Sequence, residues 1–348
     1  MRRIKQSFAN VGKYLLSFGS VYEVFAWIRQ GFTYVREIDS ALTELKKVTN
    51  ETNATYDAFL QTMSKTAGVV GSTVTDLTTM AAEWARLGYS LEEAGTLAES
   101  TAVLLNVSEF NDATEASEAL ISTMQAFQYT ADESQHVVDI LNEVGNNYAV
   151  SSDGIATALK TSASALMESG TDLEQATALV AAANKVVQDP SSVGSALRTI
   201  SLRLRGTSVE LLEEMGEETD GVVESTSKLQ EKLKALTGVD ILTDAGAYKD
   251  TYTILKEIGQ VWEDMSDIDQ AALLELMAGK NRANTLAAIL GNMEDLEGAY
   301  NDALKAEGSA LKENERYLDS IQGKIDQFNN AMQAMWSDTL DSDVVKGF

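Results

Sequence analysis

A single proline, Pro190, stands in 348 residues, and no other feature of the chain constrains its fold as much. Proline breaks helix interiors and punctuates loops, so a chain almost without it, and rich in alanine, suits long uninterrupted helices better than a β-sandwich or barrel. At about 150 residues per domain the length allows two domains. The expected fold class is all-α: a stacked helix-hairpin core module with flanking coiled-coil-like helices, leaving room for one short β-hairpin near 239–248.

Charge and residue usage narrow the function classes. Asp and Glu number 53 against 27 Lys and Arg, a formal net charge of −26, and a surface of that balance repels phosphate backbones. Specific nucleic-acid binding is therefore not expected. Cysteine is absent and His136 is the sole histidine, which removes disulfides, thiolate nucleophiles, zinc ribbons, two-histidine metal sites and Cys–His dyads. The charge is also split by position. Residues 1–38 carry six basic and two acidic side chains, a local net of +4, so the remainder holds −30. Apolar residues follow the basic start (Tyr14, Leu15, Leu16, Phe18, Val21, Tyr22), but the uncharged run is far short of the roughly 20 residues a membrane-spanning helix needs. A helix packed on a partner and an interfacial segment contacting a host membrane through residues 1–37 both fit.

From Ile38 the apolar or small positions fall at Leu42, Leu45, Thr49, Thr52, Tyr56, Phe59 and Met63, alternating steps of four and three. That spacing is a coiled-coil seam weakened by two threonines, open to another chain or to the protein's own core. Leu318, Ile321, Ile325, Phe328, Met332 and Met335 repeat the stepping, and the chain stops at Phe348 in mid-pattern, as a piece of a longer protein would. The expected organisation is a basic apolar helical segment over 1–37, a coiled-coil-like helix over 38–68, a helical core over 69–300 and the start of a C-terminal coiled-coil helix over 301–348.

Inside the core one helix start recurs every 40 to 42 residues: Gly88–Ala94, Gln128–Ser134 and Gly170–Ala176, with capping residues Ser90, Thr130 and Asp172. In each, Glu or Gln three positions on can reach back to the cap, the reciprocal capping box. Intermediate starts near Thr75–Asp76, Asp112, Ser152–Asp153 and Ser191–Ser192 predict two helices per period, each burying its apolar stripe on neighbours. Gly238–Leu242, a turn at Thr243–Gly246 and Ala247–Tyr248 predict the short hairpin. Helices are expected from Tyr252 to Trp262 and from Gln270 to Met277.

No catalytic, cofactor-binding or metal-binding residues are assigned. Glu210, Glu213, Glu214, Glu217, Glu218 and Asp220 could suggest a carboxylate hydrolase, with Glu213 or Glu217 as its acid, but a solvated helix face accounts for them. Arg198, Arg203 and Arg205 are expected to pair with surplus carboxylates. His136 flanks an apolar stripe as an ordinary surface histidine. Asp240 and Asp244 lack the donors of a calcium loop, and Gly279–Arg282 lacks the upstream glycine of a phosphate loop.

The combination resembles the phage tail tape measure protein family over about residues 70 to 345. The resemblance is carried by the helix starts at 88–94 and 170–176, Ala181–Asn184 leading to Val193–Ile200, Gly238–Ile241 through Tyr252–Trp262, and Ile268–Lys280. It implies a non-enzymatic structural protein without cofactors, which occupies the lumen of the phage tail in the virion and the host cytoplasm during assembly. It also implies roles in setting tail length and in genome ejection. The implied partners are the tail tube protein, tail assembly chaperones and distal tail or baseplate proteins, together with possible self-association. A helical membrane-associated adaptor or secreted effector is the alternative.

Overall fold

The computed structural model describes residues 21–223 and 225–339, with side chains over 29–336. Membrane contact through the first twenty residues concerns a segment outside the described residues. Among the described residues every named element is helical: α1 (Val21–Val48), α2 (Asn53–Val70), α3 (Val74–Arg86), α4 (Leu91–Val107), α5 (Ala113–Phe127), α6 (Ser134–Asn147), α7 (Ser152–Glu168), α8 (Leu173–Val187), α9 (Pro190–Leu204), α10 (Val209–Glu214), α11 (Thr226–Thr237), α12 (Thr251–Trp262), α13 (Asp267–Leu290), α14 (Met293–Ala303), α15 (Ser309–Asp319) and α16 (Ile321–Thr339), with a 3-10 turn at Ala131–Glu133. The all-α class is thus the observed one.

The predicted capping boxes form. The Ser90 and Thr130 amides each donate to the Glu three residues on, at 2.8 Å. The Asp172 amide donates to Gln175 at 3.1 Å while the Gln175 amide returns to Asp172 at 2.8 Å. Gly88 and Gly170 precede their boxes in the left-handed region, and Gln128 takes the same conformation without being glycine, as the residue just past a helix end commonly does. The intermediate starts move slightly toward the N-terminus. Thr73, Ser151 and Asp189 are the caps, and Pro190 occupies the first turn of α9, where its missing N–H costs nothing.

The chain divides into two compact units. The first comprises residues up to Val107, Asp112–Ser117 and those from Lys312 onward. In it α3 is central, touching α1, α2, α4 and α16, and its fully buried Trp84 donates from Nε1 to Thr101 at 3.1 Å. The seam at 38–63 does not run along one helix. The chain breaks after Val48, Thr52 caps α2 by accepting from the Thr55 amide, and Thr49 bonds Leu45 O and the Tyr56 hydroxyl. Threonine side chains compete with the backbone for hydrogen bonds, which turns the weak point of the seam into a corner. Ile38, Leu45, Tyr56, Phe59 and Met63 are nevertheless all buried in this unit's core. The second seam is likewise interrupted, at Ser320, and Ile321, Ile325 and Phe328 lie exposed.

The second unit comprises Ser108–Asn111 and Glu118–Leu311. Its centre is α8, which touches α6, α7, α9, α12, α13 and α14 and whose residues from Ala176 to Ala183 are all at most 1% exposed. A helix apolar all round is a buried one, and five alanines in that run keep its neighbours near. α7 and α9 pack along each other, with Gly194 directly against the Ala158 backbone. Asp139, itself buried, accepts from the Gly308 and Ala310 amides at 2.8 and 3.0 Å and so caps α15 from α6. The expected hairpin reduces to one antiparallel bridge, Leu242 with Tyr248, closed by Thr243 N to Ala247 O and Lys249 N to Ile241 O.

Two expectations follow. Gly194→Ala places a methyl group on the Ala158 carbonyl and should cost about 1–3 kcal/mol by urea unfolding, the usual range for overpacking; an unchanged midpoint would show that α7 and α9 are not in close contact. At the bridge, the Leu242 amide, then Lys234 and Gln230, hold the Asp240 carboxyl down at about 2. Its contribution to stability is complete above the ordinary value of 3.8 and is lost as pH falls toward about 2. An NMR titration of Asp240 with a midpoint near 4 would contradict this arrangement.

Candidate functional site

A set of interlocked ionisable side chains in the second unit lies where the loop Met215–Gly221 meets α9 and α13. Its origin is a broken helix. Within α13, Gly279 has φ 72° and ψ 179°, a conformation essentially reserved for glycine, so the helix ends at Ala278 and restarts at Lys280. A helix end leaves unpaired carbonyls and a helix start leaves unpaired amides. Both sets are met by charged side chains from elsewhere.

The carbonyls of Glu275 and Leu276 accept from Arg203 Nη1 at 3.0 and 3.4 Å. The same guanidinium donates to Asp220 O at 2.8 Å and to Glu218 O. Arg203 is only 3% exposed, and burial, its largest influence, pulls its pKa down against the opposing carboxylate of Glu218. On the other side of the break, the Lys280 and Asn281 amides donate to the two Glu218 carboxylate oxygens, each at 3.0 Å. A cation thus sits at the C-terminal end of one half-helix and an anion at the N-terminal end of the next, each matching the helix dipole.

Glu217 is buried beside this break. It accepts from the Thr199 hydroxyl and lies 3.3 Å from Arg282 Nη2 and 3.5 Å from Arg198 Nε. Lys280 Nζ meets Asp220 at 3.1 Å. The acidic run is therefore divided by the fold. Glu210, Glu213 and Glu214 form the expected solvated face, whereas Glu217 and Glu218 leave it, because the glycine loop at 216–221 turns them inward. Arg198 pairs with a carboxylate as expected. Arg203 instead bonds backbone carbonyls, and Arg205 donates to Ser169 O and covers the Tyr248 ring at 4.7 Å. His136 remains partly exposed, 3.2 Å from Glu174.

Gly279 is the informative residue that the phosphate-loop comparison does not reach: glycine after a helical stretch and before Lys-Asn-Arg is a helix-stop signal. The chemistry assembled here is that of a lock: carboxylates and guanidinia are engaged with one another and with helix ends. Among the described residues no group of His, Cys, Asp and Glu could hold a metal ion, and no helix is long and apolar enough to cross a membrane.

Gly279→Ala would force a side chain into glycine-only backbone, with its Cβ 2.7 Å from Glu218 and 2.8 Å from Arg203. It should cost about 1–3 kcal/mol for the conformation alone. Glu217→Ala leaves two guanidinia facing an empty position and should cost about 3 kcal/mol. Urea denaturation checks both, and losses below about 0.5 kcal/mol, as for ordinary surface changes, would contradict the lock.

Residues 60–279, well over half of the chain, match the family described as phage-related minor tail protein. A probable tape measure protein of Escherichia phage P2 is 25% identical over 251 residues, taking in 70% of this chain and 28% of that relative. The chain thus spans little more than a quarter of that curated relative's length. No solved structure matches it. The matched stretch holds all three capping boxes and the Arg203–Glu218 lock, and it ends on the glycine that breaks α13. As its resemblance to the tape measure proteins of phage tails implied, the chain belongs to the phage-related minor tail protein family.

Proposed function

We propose that this chain is the folded core of a tail tape measure protein, a non-enzymatic structural protein that takes part in tail-length determination, tail assembly and genome ejection. The observation that carries the reading is the family match falling on a region of short, mutually buried helices, whose charged cluster is consumed in holding helix ends. Such a body acts by shape. An α-helix rises about 1.5 Å per residue, so only extended helical polypeptide has a length proportional to residue number. Both seams in this chain are interrupted by caps or turns, at Thr49–Thr52 and Ser320. Length metering therefore belongs to other helical segments of the full-length protein, and the core is folded rather than extended along the tape. The net charge of −26 would keep such a body from adhering to DNA or to an acidic tube wall. Tail tube protein, assembly chaperones and distal tail or baseplate proteins are the proposed partners, in the tail lumen and, before that, in the host cytoplasm.

An internal deletion in a coiled-coil segment of the full-length protein should shorten tails by about 1.5 Å per residue removed, read from electron micrographs. Tails of unchanged length would defeat the metering role of that segment.

A further inference from the structure

The N-terminal ends of α8 and α12 come together on the second unit. Their caps are Asp172 and Asp250, and a Cβ placed on Gly170 would lie 3.7 Å from Asp250. Each cap brings a full negative charge to a helix end worth roughly half a positive one, so negative charge is left over. Glu174 adds to it, 3.2 Å from the His136 ring, as does Glu297, which Lys256 meets at 3.1 Å. Neighbouring cations are committed elsewhere: Arg205 to Ser169 O and the Tyr248 ring, Lys249 to Glu257 at 2.6 Å. The cap at Asp172 occupies only Oδ1, which accepts from the Gln175 amide.

Three tyrosines share this place. The Tyr252 and Tyr300 ring centroids are 5.0 Å apart, and Tyr129 lies 6.0 Å from His136. Burial, helped by the Asp172 carboxylate in all three, raises the pKa of each hydroxyl, that of Tyr252 to about 12; the three rings therefore border one carboxylate. Tyr252 is only 3% exposed, and its hydroxyl has no hydrogen-bond partner, a costly omission for a buried polar group. The carboxylates are spread among the rings and do not converge as metal ligands do. An organic cation needs no such convergence, because tyrosine faces share its charge with the carboxylates around them.

We propose that Asp172, Glu174, Tyr129, Tyr252 and Tyr300 receive a cationic side chain, lysine or arginine, from a partner protein. The cation donates to Asp172 Oδ2 and, as the partly exposed Tyr300 ring is displaced, to the orphaned Tyr252 hydroxyl. The tyrosine rings cover its alkyl stem. The inference does not rest on the tape measure reading, because the site belongs to the surface of the second unit and its test involves no tail.

Fluorescence anisotropy of a labelled hexalysine peptide titrated with the whole chain tests it, at about 0.15 M salt, where distant charges are largely screened. Saturable binding is expected. Asp172→Asn keeps a capping residue and Tyr300→Leu keeps an apolar one; each should raise the Kd at least about threefold, the weight of one cation contact. Tyr252→Phe removes an unpartnered hydroxyl and keeps the ring, so it should weaken binding without lowering the unfolding temperature. Glu213→Gln, on the solvated face, removes the same charge as Asp172→Asn and should leave the Kd within about twofold. If Asp172→Asn and Tyr300→Leu weaken binding no more than Glu213→Gln does, the attraction is that of any polycation for an acidic chain and the proposal fails. It fails too if no binding is seen, or if magnesium ions of equal total charge displace the peptide completely.

Discussion

The second unit depends on how closely helices can approach α8. Ala176, Ala178, Ala181, Ala182 and Ala183 put almost no side chain between that helix and its neighbours, so α6, α7, α9, α12, α13 and α14 can all touch it. Small residues bury little apolar area each, but they bring backbones together and let the larger Leu173, Leu179 and Val180 fill the space between. Gly194 against Ala158 extends the same device to the α7–α9 crossing. A larger side chain at any of these positions would separate elements that each contact several others.

Close packing of short helices has an electrostatic consequence: many helix ends must be satisfied inside a small volume. Local caps handle most of them, at Ser90, Thr130, Asp172 and Asp250. Where a break falls far from any local cap, distant residues are recruited, as with Asp139 for α15 and with Arg203 and Glu218 for α13. The most conspicuous charged cluster in the unit is thereby committed to architecture, in keeping with a protein proposed to work through its shape.

Legibility from sequence followed the range of the interaction. The capping boxes at 90, 130 and 172 could be read because cap and responder lie three residues apart, and the caps missed by one or two positions had rival Ser, Thr or Asp neighbours. The break between α1 and α2 could not, because the heptad spacing from Ile38 to Met63 continues through Thr49 and Thr52 even though the backbone turns. Periodicity shows which residues share a face, not which face meets the protein, so the spacing in α16 indicates a seam and carries no sign that its polar side is the buried one. Glu213 and Glu217 differ by one helical turn in sequence, and only the loop that follows decides that one is solvated and the other is held by two arginines. The lock at Gly279 joins residues separated by more than sixty positions, and no local signal pairs them.

Native-state hydrogen exchange tests the central claim, that the all-round burial of α8 holds the second unit together, most directly. Amides from Ala176 to Ala183 should exchange only through global unfolding of that unit, with the highest opening free energy in it, while those of the exposed α10 should open at a much lower free energy. Exchange in α8 as fast as in α10 would contradict the account.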